Sequence, residues 1–232
     1  MSSPIAKKTD EINLLHKALT AFHKGVSHRR RINILSEALI MYFRDIVANM
    51  NNVRCIDVGC GDLGIMERIA EAVPGTIWEY LDIYDIPEHL IHSPKWSKYK
   101  KFNGRDLPFD DNSIDIVLFC DTLHHAGENA KHLLEQAHRI GGVVIIKDSF
   151  EYSLYSRCML RMMDVIGNWG YGVSIPRNYF SRDSFKALCK EVGFKVKRLD
   201  IGIQLYGHLP IIRSILRPKW HFIAVLIKSS CR

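Results

Sequence analysis

Ile56-Asp57-Val58-Gly59-Cys60-Gly61-Asp62-Leu63-Gly64 follows the mixed run Asn51-Asn52-Val53-Arg54-Cys55, and its reading decides the fold. A short apolar run that ends in glycines spaced Gly-x-Gly-x-x-Gly reads as a strand entering a tight turn, with a helix opening behind it. Gly59 and Gly61 let the backbone turn and approach a ligand closely, while Gly64 lets the following helix pack close. Alone, this spacing suits any nucleotide. Asp57 narrows the choice, because a carboxylate at that point repels a pyrophosphate and attracts an ammonium or a sulfonium.

Outward from this loop, short apolar runs recur at Val53–Val58, Thr76–Leu81, Ile114–Cys120, Val143–Ile146, Val196–Ile201 and His221–Ile227, with a weaker one at Tyr99–Phe102. Helical patterns at Ile65–Ala72, Ala130–Arg139 and Arg182–Val192 separate most of them, which predicts an α/β fold with a largely parallel sheet between two helical layers. No helical pattern separates the last two runs, so the final strand is expected to return antiparallel. Two amphipathic helices are expected before the sheet, one over Thr9–Lys24 and one after Ser27 carrying Ile32, Leu35, Leu39, Ile40, Tyr42 and Phe43.

The chain has 232 residues, 47% of them hydrophobic, enough for one domain with a sizeable core. No stretch approaches the roughly 18 uninterrupted apolar residues of a membrane span, so a cytoplasmic protein is expected. Cys55, Cys60, Cys120, Cys158, Cys189 and Cys231 show no C-x-x-C pairing and read as reduced thiols, with no metal site among them. The formal charge of +7 suits an anionic partner, whether nucleic acid, a membrane surface or a phosphorylated substrate, but it names none of them.

Several motifs in order resemble the class I, seven-stranded S-adenosylmethionine-dependent methyltransferases, and within them the type 11 branch. They are Asp57-Val58-Gly59-Cys60-Gly61-Asp62-Leu63-Gly64, the acid closing Trp78-Glu79-Tyr80-Leu81-Asp82-Ile83, the loop Asn103-Gly104-Arg105-Asp106-Leu107-Pro108-Phe109 before Ser113-Ile114-Asp115, and Asp121-Thr122-Leu123-His124-His125. The resemblance covers about Asn52 to Lys228. It implies a three-layer Rossmann-like sheet of seven strands and S-adenosyl-L-methionine as cofactor. The contacts it implies run through Asp57, Gly59, Cys60, Gly61, Gly64, Asp82, Ile83, Asn103, Gly104, Cys120 and Asp121, with Asp82 on the ribose. Asn103 stands where many relatives place an acid toward the adenine, which makes Asp106 a rival there. Ile114 replaces the usual aromatic residue, a matter of packing.

The helical stripes before the sheet, taken with this resemblance, divide 1–232, read as a single methyltransferase domain, into an N-terminal helical cap at 1–50, a cofactor-binding half at 51–149, a lid insertion at 150–180, and a C-terminal helix with strands at 181–232. The lid segment is rich in aromatics and methionines, among them Tyr152, Tyr155, Met159, Met162, Met163, Trp169, Tyr171, Tyr179 and Phe180, with glycines from Gly167 to Gly172 to bend it.

Strand order in the family sets the fourth and fifth strands side by side, about 4.8 Å apart. Asp148 and His124 or His125 are therefore expected to pair, the carboxylate orienting an imidazole that acts as general base on a hydroxyl. A packing or helix-capping histidine would look the same in sequence. Nucleic-acid amino methyltransferases carry Asp/Asn-Pro-Pro-aromatic where this chain has Cys120-Asp121-Thr122-Leu123, and catechol-type enzymes hold a metal with an Asp-Asn pair where it has Asp148-Ser149. The expected reaction is O-methylation of a small or medium-sized metabolite without a metal, with nucleic acid not expected as partner, a peripheral membrane contact compatible with the charge, and the oligomeric state open. RNA ribose methylation is the alternative, since Asp121 with Lys147 mimics the middle of a Lys-Asp-Lys-Glu set. An NAD(P)-dependent oxidoreductase is a remoter one, lacking a Tyr-x-x-x-Lys pair.

Overall fold

The computed structural model describes residues 28–167, 175–205 and 215–229. The expected helix over Thr9–Lys24 lies outside them, as do Trp169 and Tyr171 of the lid.

Seven strands form one sheet: β1 (Val53–Val58), β2 (Thr76–Asp82), β3 (Tyr99–Lys101), β4 (Ile114–Cys120), β5 (Gly141–Ser149), β6 (Phe194–Ile201) and β7 (His221–Lys228). Their order is β3-β2-β1-β4-β5-β7-β6. β1 to β5 pair in parallel, whereas β7 runs antiparallel to both β5 and β6. A parallel return requires a long crossover, usually a helix. The 3-10 turn Pro218–Trp220 leads directly into β7, which runs back along both neighbours.

Six α-helices accompany the described sheet: α1 (His28–Val47), α2 (Gly64–Ala72), α3 (Leu123–Ala126), α4 (Asn129–Ile140), α5 (Leu154–Gly167) and α6 (Arg182–Glu191). Alternation along the strands divides the core into two layers. From β4, Ile116 and Leu118 face a cluster with Leu39, Phe43, Met66 and Ile69 of α1 and α2, and Phe43 meets Trp78 at 5.2 Å between ring centroids. Val117 and Phe119 point the other way, toward Leu133, Leu134 and Ala137 of α4 and Phe185 of α6. The apolar α1 residues that are buried, Ile32, Leu35, Leu39, Tyr42, Phe43 and Val47, recur at helical spacing, which is why this segment docks by one face.

Several boundaries differ from the apolar pattern: β5 begins at Gly141 and β6 at Phe194, each two residues early, and the ends of β2, β3 and β7 shift by one residue. β5 continues past Ile146, with Lys147, Asp148 and Ser149 pairing opposite Ile223, Phe222 and His221. A ladder is made of backbone groups, so polar side chains do not end it.

Phe222 ties this region together: it is fully buried, stacked on Phe150 at 3.8 Å and 4.9 Å from the Phe185 ring. Phe222→Ala should lower stability by about 3–5 kcal/mol, the usual cost of deleting a buried ring. Urea unfolding measures it, and a loss well below that range would show that this part of the core collapses onto the gap.

Candidate active site

The chain leaves β1 toward β2 and β3 and then returns to β4 on the other side of β1. The carboxyl ends of β1 and β4 thus flank the reversal of strand order, where open α/β sheets bind ligands. Two loops meet there. The Thr122 Oγ1 donates to the Val58 carbonyl at 2.9 Å. A Cβ built on Gly59 would lie 2.5 Å from that same oxygen, and the glycine has φ +79°. No other residue fits, because both the turn and the neighbouring threonine exclude a side chain. Gly64 serves another contact than the sheet: its added Cβ would meet Ile32 of α1 at 3.0 Å. Asp62 accepts the Gly64 N–H at 3.0 Å, a local task at the start of α2.

Two acids line the loop. Asp57, next to last in β1, is almost wholly buried, 3% exposed, and its Oδ1 has no hydrogen-bond partner among the described residues. Burial, with the Asp82 charge adding to it, pushes the Asp57 carboxyl up to about 7. Asp82, at the end of β2, accepts the Gly61 N–H at 3.0 Å and the Ile83 N–H at 2.7 Å, so it braces the glycine turn from the next strand. The buried Cys60 thiol is held protonated by burial and then by Asp57 and Asp82.

Beyond Asp82, an added Cβ on Gly104 would lie 3.1 Å from the Ile83 side chain, so those two residues adjoin. Asn103 is engaged within its own loop: its Oδ1 accepts from the Arg105 and Asp106 N–H groups at 2.9 and 2.7 Å, and its Nδ2 donates to Asp106 at 2.9 Å. Asp106 also contacts His132 Nε2 at 2.9 Å.

Asp121 follows β4 in the left-handed region, at φ +53°. Its carboxylate is gripped by Arg31 of α1 and by Lys147 of β5. Burial works against the charge, but the two cations outweigh it and hold this carboxyl well below the usual carboxylate range. The Cys120 thiol before it is pushed upward by burial and by Asp121.

Asp148 and His124 do pair. His124 Nδ1 lies 2.7 Å from Asp148 Oδ1, and the carboxylate also accepts the backbone N–H groups of His124 at 3.3 Å and Ser149 at 2.6 Å. On its other side, His124 Nε2 faces Asp164 Oδ2 of α5 at 3.5 Å, while the Tyr179 hydroxyl donates to the same Asp164. Burial disfavours a charged ring here, yet Asp148, and behind it Asp164, raise the imidazole to about 10. A pKa raised from the ordinary 6.5 or so means that the clamp stabilises the protein fully below that value and is lost as pH climbs through about 10. At neutral pH His124 is therefore an imidazolium between two carboxylates.

The His125 ring lies 4.1 Å from that of His124 and is partly exposed, whereas the His124 side chain is 2% exposed. The donor atoms of His124, His125 and Asp164 lie within 4.8 Å of one another, close enough for a metal ion, as do those of Asp121, His124 and Asp148. In both groups His124 already holds a proton between acids, and Asp121 is already matched by two cations.

Arg31 and Asp164 were not among the residues expected at the site. Asp164 left a trace in the sequence, as the lone acid of the apolar stretch Met159–Ile166. Arg31 left none, since Arg29, Arg30 and Arg31 read alike.

This arrangement fits the implied cofactor. A buried carboxylate oxygen without a donor calls for one, and an ammonium beside Asp57 would supply it. Asp82 keeps lone pairs free beyond its two backbone bonds.

A family model described as a methyltransferase domain matches residues 26–199. A search of curated proteins finds no match. Among solved structures, a putative sarcosine dimethylglycine methyltransferase from Galdieria sulphuraria superposes with TM-score 0.62 at 16% identity, over 84% of this chain and 85% of that one. Magnesium protoporphyrin IX methyltransferase from Synechocystis PCC 6803, with S-adenosylhomocysteine bound, gives 0.58 at 15% identity, over 88% and 84%. The putative methyltransferase complexed with the Haloferax volcanii Trm112 activator gives 0.59 at 17% identity, over 86% and 97%. With its seven strands ordered around the Asp57 loop, the chain belongs to the class I S-adenosylmethionine-dependent methyltransferases.

Proposed function

We propose that this methyltransferase acts on an oxygen of a small or medium-sized metabolite, such as a glycosylated or polyketide-type natural product or a lipid-linked sugar. The observation that supports it is the Asp148–His124 pair at 2.7 Å with the partly exposed His125 ring beside it. S-adenosylmethionine supplies an electrophilic methyl group on its sulfonium. This chain's residues hold the cofactor, position the acceptor and dispose of its proton.

Asp57 binds the methionine ammonium, and Asp82 accepts from the ribose hydroxyls with the lone pairs that its backbone bonds leave free. The turn from Gly59 to Gly61, with Cys60, offers backbone to the cofactor, and Gly64 keeps the helix close. Ile83, Gly104 and Asn103 border the adenine side, Cys120 and Asp121 the floor. His125 takes the acceptor's hydroxyl proton and passes it to solvent. His124 is a poor base, because it is already protonated and shielded. With Asp148 it fixes the position of α3 and therefore of His125. Water is kept out by α5, which is joined to His124 through Asp164.

The RNA ribose alternative needs an ammonium that reaches the substrate. Lys147 is 1% exposed and bound to Asp121, so its charge is spent inside the protein.

Two experiments check these roles. Cofactor binding should draw a proton off Asp57 below neutrality, about one per cofactor at pH 6 and close to none at pH 8, because the free carboxyl titrates near 7. Calorimetry in buffers of different ionisation enthalpy counts the protons. Asp57→Asn should abolish the release, and Asp82→Ala should weaken binding about tenfold or more through a lost charge-assisted bond. An unchanged affinity in both variants would overturn the assignment.

For the acceptor, transfer of labelled methyl to a panel of hydroxylated aromatics and glycosides should yield O-methyl products, identified by NMR. His125→Ala should lower turnover about a hundredfold, the usual worth of a positioned base, with cofactor affinity unchanged. Products methylated only at nitrogen or carbon, or full turnover without His125, would remove the oxygen-and-base reading.

A further inference from the structure

Helix α5 is apolar on two sides. Its inner side carries Leu160, buried with Tyr179, Leu216 and Trp220 and flanked by Met159 and Met163. Its outer side carries Leu154, Tyr155, Met162, Val165 and Ile166, all exposed, with Leu154 at 72%, Tyr155 at 49% and Ile166 at 46%. At 100° per residue these five fall within about a third of the helix circumference, so they form one continuous stripe. The exposed Cys158 lies inside it. A helix with this composition is normally covered on both sides.

Charge on the helix is arranged around the stripe. Asp164, its only acid, is turned inward to His124 and Tyr179. Arg157 pairs with Glu151, at 2.6 Å. Arg161 is the exposed charge and sits at the stripe's edge. The neighbouring segment extends the pattern. The Tyr155 hydroxyl donates to the Ile215 carbonyl at 3.3 Å, its ring meets Trp220 at 5.8 Å, and Lys219 Nζ lies 5.3 Å from the Tyr152 ring centroid. Ile215 and Tyr152 are exposed, as are Arg217 and Lys219. The result is an apolar ridge with two tyrosines and a cationic border.

We propose that this face seats peripherally on an anionic lipid bilayer, with the stripe in the interface and Arg161, Arg217 and Lys219 at the headgroups. Apolar ridge, interfacial tyrosines and basic flanks are the three features of a helix that lies in the membrane surface. A second copy fits the face poorly, because a twofold interface sets the same patch against itself and brings the two cationic borders together. No helix among the described residues is long and apolar enough to cross a membrane, so the contact is superficial. Because α5 also covers His124, the proposed acceptor would be drawn from the lipid side. That last step alone rests on the proposed function.

Co-sedimentation of the full-length protein with vesicles of phosphatidylcholine, with and without phosphatidylglycerol, tests the contact. The protein should pellet with the anionic vesicles, less so at high salt. A Leu154→Glu, Ile166→Glu variant should lose about tenfold or more in bound fraction, since each side chain forfeits its apolar transfer. The cofactor-induced thermal shift should be unchanged in that variant, showing that it is folded. Arg217→Glu with Lys219→Glu should abolish the preference for phosphatidylglycerol. Wild-type protein that stays in the supernatant with both vesicles would overturn the proposal. So would a wild-type dimer, seen by analytical ultracentrifugation, that the Leu154→Glu, Ile166→Glu variant dissociates. Vesicle binding without any O-methyl product would leave the membrane contact standing and remove the acceptor reading.

Discussion

The edge of the sheet that carries the candidate site depends on the bond from Thr122 to the Val58 carbonyl across the seam between β1 and β4, 2.9 Å long. It draws the loop after β4 so close to the glycine turn that a single added carbon on Gly59 would overlap the threonine. With that seam closed, Asp57 is buried at the end of β1 and its neighbour strand's acid, Asp82, is held to the turn. Asp121 comes directly before Thr122 and α3 directly after it, so their placement also derives from that bond. The seam thus sets two sites at once: the anionic cradle on the β1–β2 side and the histidine cluster on the β4–β5 side.

The two sites manage buried charge in opposite ways. Around Asp121, Asp148 and Asp164 each carboxylate meets a cation from another element, Arg31, Lys147 or His124. Those ion pairs fasten α1, β5 and α5 to the edge of the sheet. Among the described residues no cation meets Asp57, and burial lifts the carboxyl toward neutrality instead. Three acids are thus matched by cations and the fourth, Asp57, is not, which is the contrast on which the proposed ammonium contact rests.

Much of this could be read from the chain, for definite reasons. Strands buried on both faces declare themselves as apolar runs, and Ile114–Cys120 and Val53–Val58 were delimited to the residue. The pairing of Asp148 with a histidine followed from the adjacency of β4 and β5 alone. Which histidine it would be did not follow, because a one-residue step around α3 turns one ring into the core and leaves the other partly exposed. Arg31 and Asp164 were hidden for a related reason: they reach the site from α1 and α5, whose docking is decided by packing between distant segments. The clamp on both sides of His124 changes its chemistry, from a free base to a standing cation, and nothing in Leu123-His124-His125 distinguishes the two.

The position of β7 has a consequence for how the sheet assembles. β7 follows every other described strand in the chain, yet it lies between β5 and β6. Until it arrives, β5 presents the backbone of Val143–Ser149 as an open edge, with Val144, Ile145 and Ile146 among its side chains. An unprotected apolar edge is a template for pairing with another chain. During synthesis the nascent protein therefore passes through a stage in which β5 is paired on one side only, and closure requires a contact distant in sequence, which forms slowly. That order of events exposes the chain to aggregation before β7 is made, the hazard against which chaperones act.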